Sequence, residues 1–192
     1  MIVHALSGII PSPVLGIPTW TYRRTESGED PRGAFAIPLE LPLLEPALAA
    51  ASWPLLGPVQ QLNVSVSNVP LTARGLHVSN TGKICFVMAG SFTCAVVNLR
   101  SQDHTFGQVD QFDVDADAGV AFYVPPGFGN ALMNHGVGDM YAYFLDGVFN
   151  PSAERVVAMS SVPTIRWPQV PQLISAKDRA GLTLEEYIAQ SR

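Results

Sequence analysis

His77 has the most reactive surroundings in the chain: Arg74 precedes it by three residues and Lys83 follows it by six. An imidazole with an ordinary pKa of about 6.5 can take up and release protons at neutral pH. Arginine offers a fork of donors suited to an anionic ligand, and lysine a compact positive charge. The same histidine could also be a hydrogen-bonded strand residue with no chemical role, so its neighbours have to decide. The two cysteines, Cys85 and Cys94, lie in strand-like sequence without Cys-x-x-Cys spacing. They read as plain buried thiols, and neither a disulfide framework nor a thiolate metal site is indicated.

The elements that must position these side chains are mostly strands. Charged residues make up 14% of the 192 positions, against about 25% in an average soluble protein, while glycine and proline number 16 each. Little charge and many turn formers point to a β-rich fold of one domain. A net charge of −5 argues against general affinity for nucleic acid or anionic lipid. The N-terminus lacks a basic region, and Pro11, Pro13 and Pro18 break its apolar stretch, so no targeting segment is indicated and a cytoplasmic protein is expected. The apolar window Leu39 to Val59 is interrupted by Glu40, Glu45 and prolines. It reads as a short helix against the core rather than a membrane span.

From Val59 to Trp167, short apolar runs alternate with turn residues, the pattern of an antiparallel sandwich or barrel. The runs 83–88 and 91–97 are separated by Ala89-Gly90, which predicts a hairpin. Phe112 and Val114 alternate with Asp113 and Asp115, which predicts a strand with one buried and one wet face. Further strands are expected at 119–124 and 140–145. On the latter, period-two geometry groups Tyr141 and Tyr143 on one face, opposite Met140, Ala142 and Phe144. Thr183-Leu184-Glu185-Glu186 has the form of a capping box and predicts a terminal helix. The expected layout is an N-terminal arm over 1–58, a barrel over 59–167 and a C-terminal helical segment over 168–192.

Two stretches resemble the bipartite pattern of the cupin barrel, a double-sheet jelly roll around a pocket. Gly119, Pro125, Gly127 and Asn134 reproduce its second half, with Asn130 where a histidine is usual. His77 takes the first histidine position of the other half, Ser79 the second, and Lys83 stands where a glutamate is usual. A metal-binding cupin needs three imidazoles and a carboxylate, of which only His77 is kept, and Lys83 would repel a divalent cation at close range. No metal and no cofactor are expected.

Within that scaffold the segments Arg74-Gly75-Leu76-His77, Thr105-Phe106-Gly107-Gln108, Pro125-Pro126-Gly127-Phe128 and Ser175-Ala176-Lys177-Asp178 resemble the dTDP-4-dehydrorhamnose 3,5-epimerase family. Asn150 to Arg155 and Trp167-Pro168 add to the likeness, which runs from about Arg32 to Leu182. The resemblance implies a metal-independent isomerase that inverts carbons beside the C4 ketone of a nucleotide-activated 4-keto-6-deoxy sugar. It implies His77 as base, Asp178 as its paired carboxylate and Tyr143 as the acid on the opposite face. It implies Lys83 as a pocket lysine, Arg32 and Arg74 for the phosphates, and Gln61, Asn63 and Asn130 as further pocket residues. A homodimer with an exchanged N-terminal strand is implied as well. His4, His104 and His135 fall outside these positions and read as surface or loop residues.

Three departures stand out: Asn130 replaces a usual histidine, Phe86 an arginine and Phe149 a tyrosine. Each is expected to alter the pocket. They leave open another cupin isomerase or cyclase acting on a different carbonyl compound, or a small-molecule-binding cupin without catalysis. Asp178 could alternatively cap the helix that Ser175 begins.

Overall fold

The computed structural model describes residues 8–22 and 35–191. Arg32 and His4 lie outside the described residues. In chain order the elements are β1 (Ile10–Pro11), β2 (Pro18–Thr21), α1 (Leu41–Ala50), β3 (Gln61–Ser67), β4 (Thr72–Val78), β5 (Lys83–Ala89), β6 (Ser91–Asn98) and β7 (Val109–Asp115). They continue with β8 (Val120–Val124), β9 (Phe128–Asn134), β10 (Asp139–Leu145), β11 (Arg155–Val156), β12 (Leu173–Ile174), α2 (Ala176–Arg179) and α3 (Leu184–Ala189). One sheet runs β1-β2-β8-β5-β10-β3 and the other β11-β4-β9-β6-β7, with β12 joined in parallel to β4. This is the all-β double-sheet jelly roll with short flanking helices that the sequence predicts.

Period two decides what each strand residue touches. Inward-facing residues, among them Cys85, Val87, Phe92, Cys94, Val96, Phe122, Leu132 and Tyr141, form the core between the sheets. The outward residues Ile84, Phe86, Tyr123 and Ala142 pack under Leu44 and Leu48 of α1. Pro42 sits in the first turn of that helix, where its missing N–H costs nothing. On the other sheet, Leu76, Ala95, Val97 and Ala131 pack against Val157, Ile165 and Tyr187 of the C-terminal part. Strands β5 and β6 are thus covered on both faces and read as continuous apolar runs, whereas β7 shows the expected alternation, with Val114 buried and Asp113 and Asp115 exposed.

The expected hairpin at Ala89-Gly90 does not form. β5 pairs with β8 and β10, and β6 with β7 and β9, so the chain crosses from one sheet to the other at this point. Gly90 makes the crossing possible with φ +71°, and a Cβ there would collide with the Asp139 carboxylate. The capping box is complete: Thr183 Oγ1 accepts the Glu186 N–H at 3.2 Å and Glu186 accepts the Thr183 N–H at 2.8 Å. β2 pairs with β8 of its own chain. Both cysteines are free and buried. Among the described residues no helix is long and apolar enough to cross a membrane.

Candidate active site

β4 carries an irregularity between Arg74 and His77, which leaves His77 in register with Asn130 of β9 and Val156 of β11. β12, laid parallel on the same strand, delivers Ser175 to start α2. The Ser175 hydroxyl accepts the Asp178 N–H at 3.0 Å, so the cap is supplied by serine and the carboxylate of Asp178 is released for other work. Asp178 is 5% exposed. One of its oxygens lies 2.9 Å from His77 Nε2, and the other accepts the Gly75 N–H at 3.3 Å. Burial pushes the Asp178 carboxyl up, but the hydrogen bond and charge of His77, with the Gly75 amide, pull it below its ordinary value. A carboxylate facing Nε2 assigns the ring proton to that nitrogen and leaves the Nδ1 lone pair free to act as a base.

Lys83 points inward from β5 and is 6% exposed. Its ammonium donates to Asn130 Oδ1 at 2.8 Å and stands 5.8 Å from the centre of the Tyr143 ring. Burial lowers the Lys83 pKa. Tyr143 of β10 is half-buried and in register with Asn63 of β3 and Cys85 of β5. Burial, with Cys85 and Glu154 acting in the same direction, raises its pKa, so the phenol keeps its proton and can donate it. On β3 the usual pattern is inverted: Gln61 and Asn63 share the inward face with Tyr143, while Leu62, Val64 and Val66 face out and are exposed. Gln61 Nε2 donates to Asn63 Oδ1 at 2.8 Å, and the Asn63 Nδ2 donor is buried without a partner.

Arg74 lines a cavity of about 500 Å³ together with His77, Ser175, Lys177 and Asp178. Its Nε is likewise buried without a partner. Unpaired donors facing a cavity are groups that an incoming ligand would satisfy. Of the sequence-predicted residues, Arg74, His77 and Asp178 line this cavity, while Asn130, in register with His77, holds Lys83, and Lys83 in turn stands over Tyr143, beside Asn63 and Gln61 on β3. Arg32 lies outside the described residues.

Phe86 does not belong to this cluster, contrary to the sequence expectation. Its ring stacks on Phe144 at 5.8 Å and packs against Tyr22 on the outer face, under α1. The reason is parity: Phe86 is three residues from inward-facing Lys83 and so points the other way. Phe149 lies at the mouth, its amide donating to Gln61 Oε1 at 2.8 Å. His104 is exposed, and His135 hydrogen-bonds Ser91 and Thr93 in a loop.

One residue of the site had no role in the sequence reading. Glu154, one position before β11, has a side chain 8% exposed. It pairs with Lys177 at 2.6 Å and stands 3.9 Å from His77 Nδ1. Its charge also acts to raise the pKa of both Lys83 and Tyr143. The available signal was its place in the Asn150–Arg155 segment, next to the Val156 that pairs with His77. Among the described residues no group of three or more histidine, cysteine or acidic side chains is arranged to hold a metal ion.

A family model described as dTDP-4-dehydrorhamnose 3,5-epimerase matches residues 16–186. A dTDP-4-dehydrorhamnose 3,5-epimerase of Mycolicibacterium smegmatis is 29% identical over 133 residues, covering 67% of this chain and 65% of the relative. A dTDP-4-dehydro-6-deoxyglucose 3-epimerase of Streptomyces bikiniensis is 28% identical over 133 residues, covering 66% and 67%. The match thus spans about two thirds of the length of these relatives. Among solved structures, a 4-keto-6-deoxy sugar epimerase from the novobiocin biosynthetic gene cluster of Streptomyces spheroides is similar with TM-score 0.81 at 25% identity, covering 98% of this chain and 94% of that one. The Legionella pneumophila dTDP-6-deoxy-D-glucose-3,5-epimerase, solved with dTDP-4-keto-L-rhamnose, shares the fold with TM-score 0.83 at 24% identity, covering 96% of each chain.

Proposed function

The chain belongs to the dTDP-4-dehydrorhamnose 3,5-epimerase family, and from that premise we propose that it epimerises a nucleotide-activated 4-keto-6-deoxy sugar in deoxysugar biosynthesis, at carbons beside the C4 ketone. A ketone acidifies the hydrogens on its neighbouring carbons, so the reaction needs a base on one face, an acid on the other and stabilisation of the enolate between them. His77 Nδ1 takes the proton. Asp178, 2.9 Å from Nε2, orients the ring and stabilises the imidazolium that results. The electron pair moves into the carbonyl, and the oxyanion faces the Lys83 ammonium, itself held by Asn130. Tyr143 returns a proton from the opposite face, and configuration inverts. Arg74, with its unpaired buried Nε beside the cavity, suits the phosphates. Asn130 fills the position of a usual histidine with a neutral acceptor that fixes the lysine.

The observation that carries this reading is the His77–Asp178 pair, set at a barrel mouth that also holds a buried lysine and a protonated tyrosine. Proton NMR with dTDP-4-keto-6-deoxyglucose in deuterated water tests it. Loss of the C3 signal, the C5 signal or both is expected, and His77→Ala should abolish it. Intact signals with folded protein and intact substrate would overturn the assignment.

We further propose a cytoplasmic homodimer. Two free buried cysteines suit a reducing compartment. Leu62, Val64 and Val66 are 49%, 48% and 47% exposed on the outer face of a strand that ends its sheet, an apolar surface for a second copy to cover. Light scattering should give about twice 20.6 kDa, and a monomer at micromolar concentration would exclude the dimer.

A further inference from the structure

Glu154 is a buried carboxylate placed where the mechanism just described leaves a gap. One oxygen holds Lys177 at 2.6 Å, and the other faces His77 Nδ1 at 3.9 Å, beyond hydrogen-bond length. Nδ1 is the nitrogen left free by Asp178, and in the resting neutral ring it carries no hydrogen to donate. When the substrate C–H bond breaks, its electron pair enters the enolate and its proton goes to Nδ1. The ring is then cationic, with Nε2–H directed to Asp178 and Nδ1–H on the side of Glu154.

From this geometry we infer that Glu154 is a positioning residue for His77: a second carboxylate that favours the imidazolium, with Lys177 as the counter-charge that moderates it. The inference rests on the epimerase reading for its kinetic consequences but not for its electrostatics. Among the described residues, Asp178 and Lys177 of α2 and Arg74 of β4 share the cavity with the ring, and Lys83 of β5 and Tyr143 of β10 feel the charge of Glu154. Arg155, beside Glu154, turns away to lie 4.0 Å from the centre of the Tyr187 ring of α3. Glu154 lies 3.9 Å from Nδ1, and its charge also reaches Lys83 and Tyr143. Lys177 is 62% exposed, so its contribution is partly screened by solvent.

The decisive property is a pair of opposite displacements. Catalysis needs neutral His77, so the acid limb of the kcat/KM profile marks its protonation. Removing the negative charge in Glu154→Gln should move that limb toward lower pH, and removing the positive charge in Lys177→Met should move it toward higher pH. A purely structural role would lower the plateau in both variants without shifting the limb in opposite directions. The same substitutions are read without substrate by following the His77 ring proton resonance through a pH titration of the full chain. Its midpoint should fall in E154Q and rise in K177M. Opposite displacements in that titration with no turnover would sink the epimerase reading and leave the role of Glu154 standing. No displacement, or displacement in one direction for both variants, would overturn the inference. If E154Q fails to fold, the K177M titration decides alone: a rise supports the inference and no rise overturns it.

Discussion

Tyr141 and Tyr143 are two residues apart on β10, face the same way and have ring centres 6.1 Å apart, yet their surroundings differ in kind. Tyr141 is 2% exposed and set among apolar side chains, its ring 5.7 Å from that of Phe92. Tyr143 is half-buried, has the Lys83 ammonium over its ring and lies within the field of Glu154. Strand geometry puts both inside the barrel, and depth along the barrel separates them. The lesson is that a face can be read from alternation, whereas a role depends on which end of that face meets the opening.

The largest effect expected from breaking this contrast is on rate. Tyr143→Phe should reduce turnover by about 10²- to 10⁴-fold, the usual worth of a positioned acid, while ligand binding and melting temperature stay close to wild type. Full turnover in that variant, measured by sugar proton exchange, would remove Tyr143 from the mechanism. Tyr141→Ala should do the reverse, costing about 3 to 5 kcal/mol of unfolding free energy as a core cavity opens. Urea unfolding that shows no loss would contradict the packing role.

A smaller effect sharpens the contrast through pH. The Asp178 carboxyl is held below its ordinary value in the folded protein, so the stability it adds is present above about pH 4 and is lost as pH falls through the lowered folded pKa. Asp178→Asn should therefore be less stable than wild type at neutral pH, with the gap narrowing on acidification. Substitutions around Tyr141 should give a loss that does not depend on pH. Unfolding curves at a series of pH values check both, and a gap for Asp178→Asn that stays constant would refute the charge-based account.

How much of this was legible in the sequence follows the same division. The β7 alternation and the Thr183 capping box are local patterns, and they appear as predicted. The His77, Lys83, Tyr143 and Asp178 cluster was reached through resemblance, since residues up to 101 positions apart carry no local signal of contact. Phe86 was misplaced although parity with Lys83 was available to correct it. The hairpin at Ala89-Gly90 was misread because a short glycine turn between two apolar runs fits a hairpin and a sheet crossing equally well. The uninterrupted apolar character of both runs, each covered on two faces, was the clue to the crossing. Glu154 lies in an irregular segment, where no period assigns a direction, and only the folded chain brings it to His77.

The crossing at Gly90 bears on how the protein is made. β5 and β6, adjacent in the chain, go to opposite sheets, and β3 and β4 wait for β10 and β9 before they are paired. Such distant pairings slow folding and couple the two sheets, so neither is complete without the other. The proposed catalytic site draws on β3, β4, β5, β9 and β10 together. It therefore comes into being only when the whole barrel closes, and a variant that loosens the crossing should lose active molecules rather than yield a population with a reshaped site.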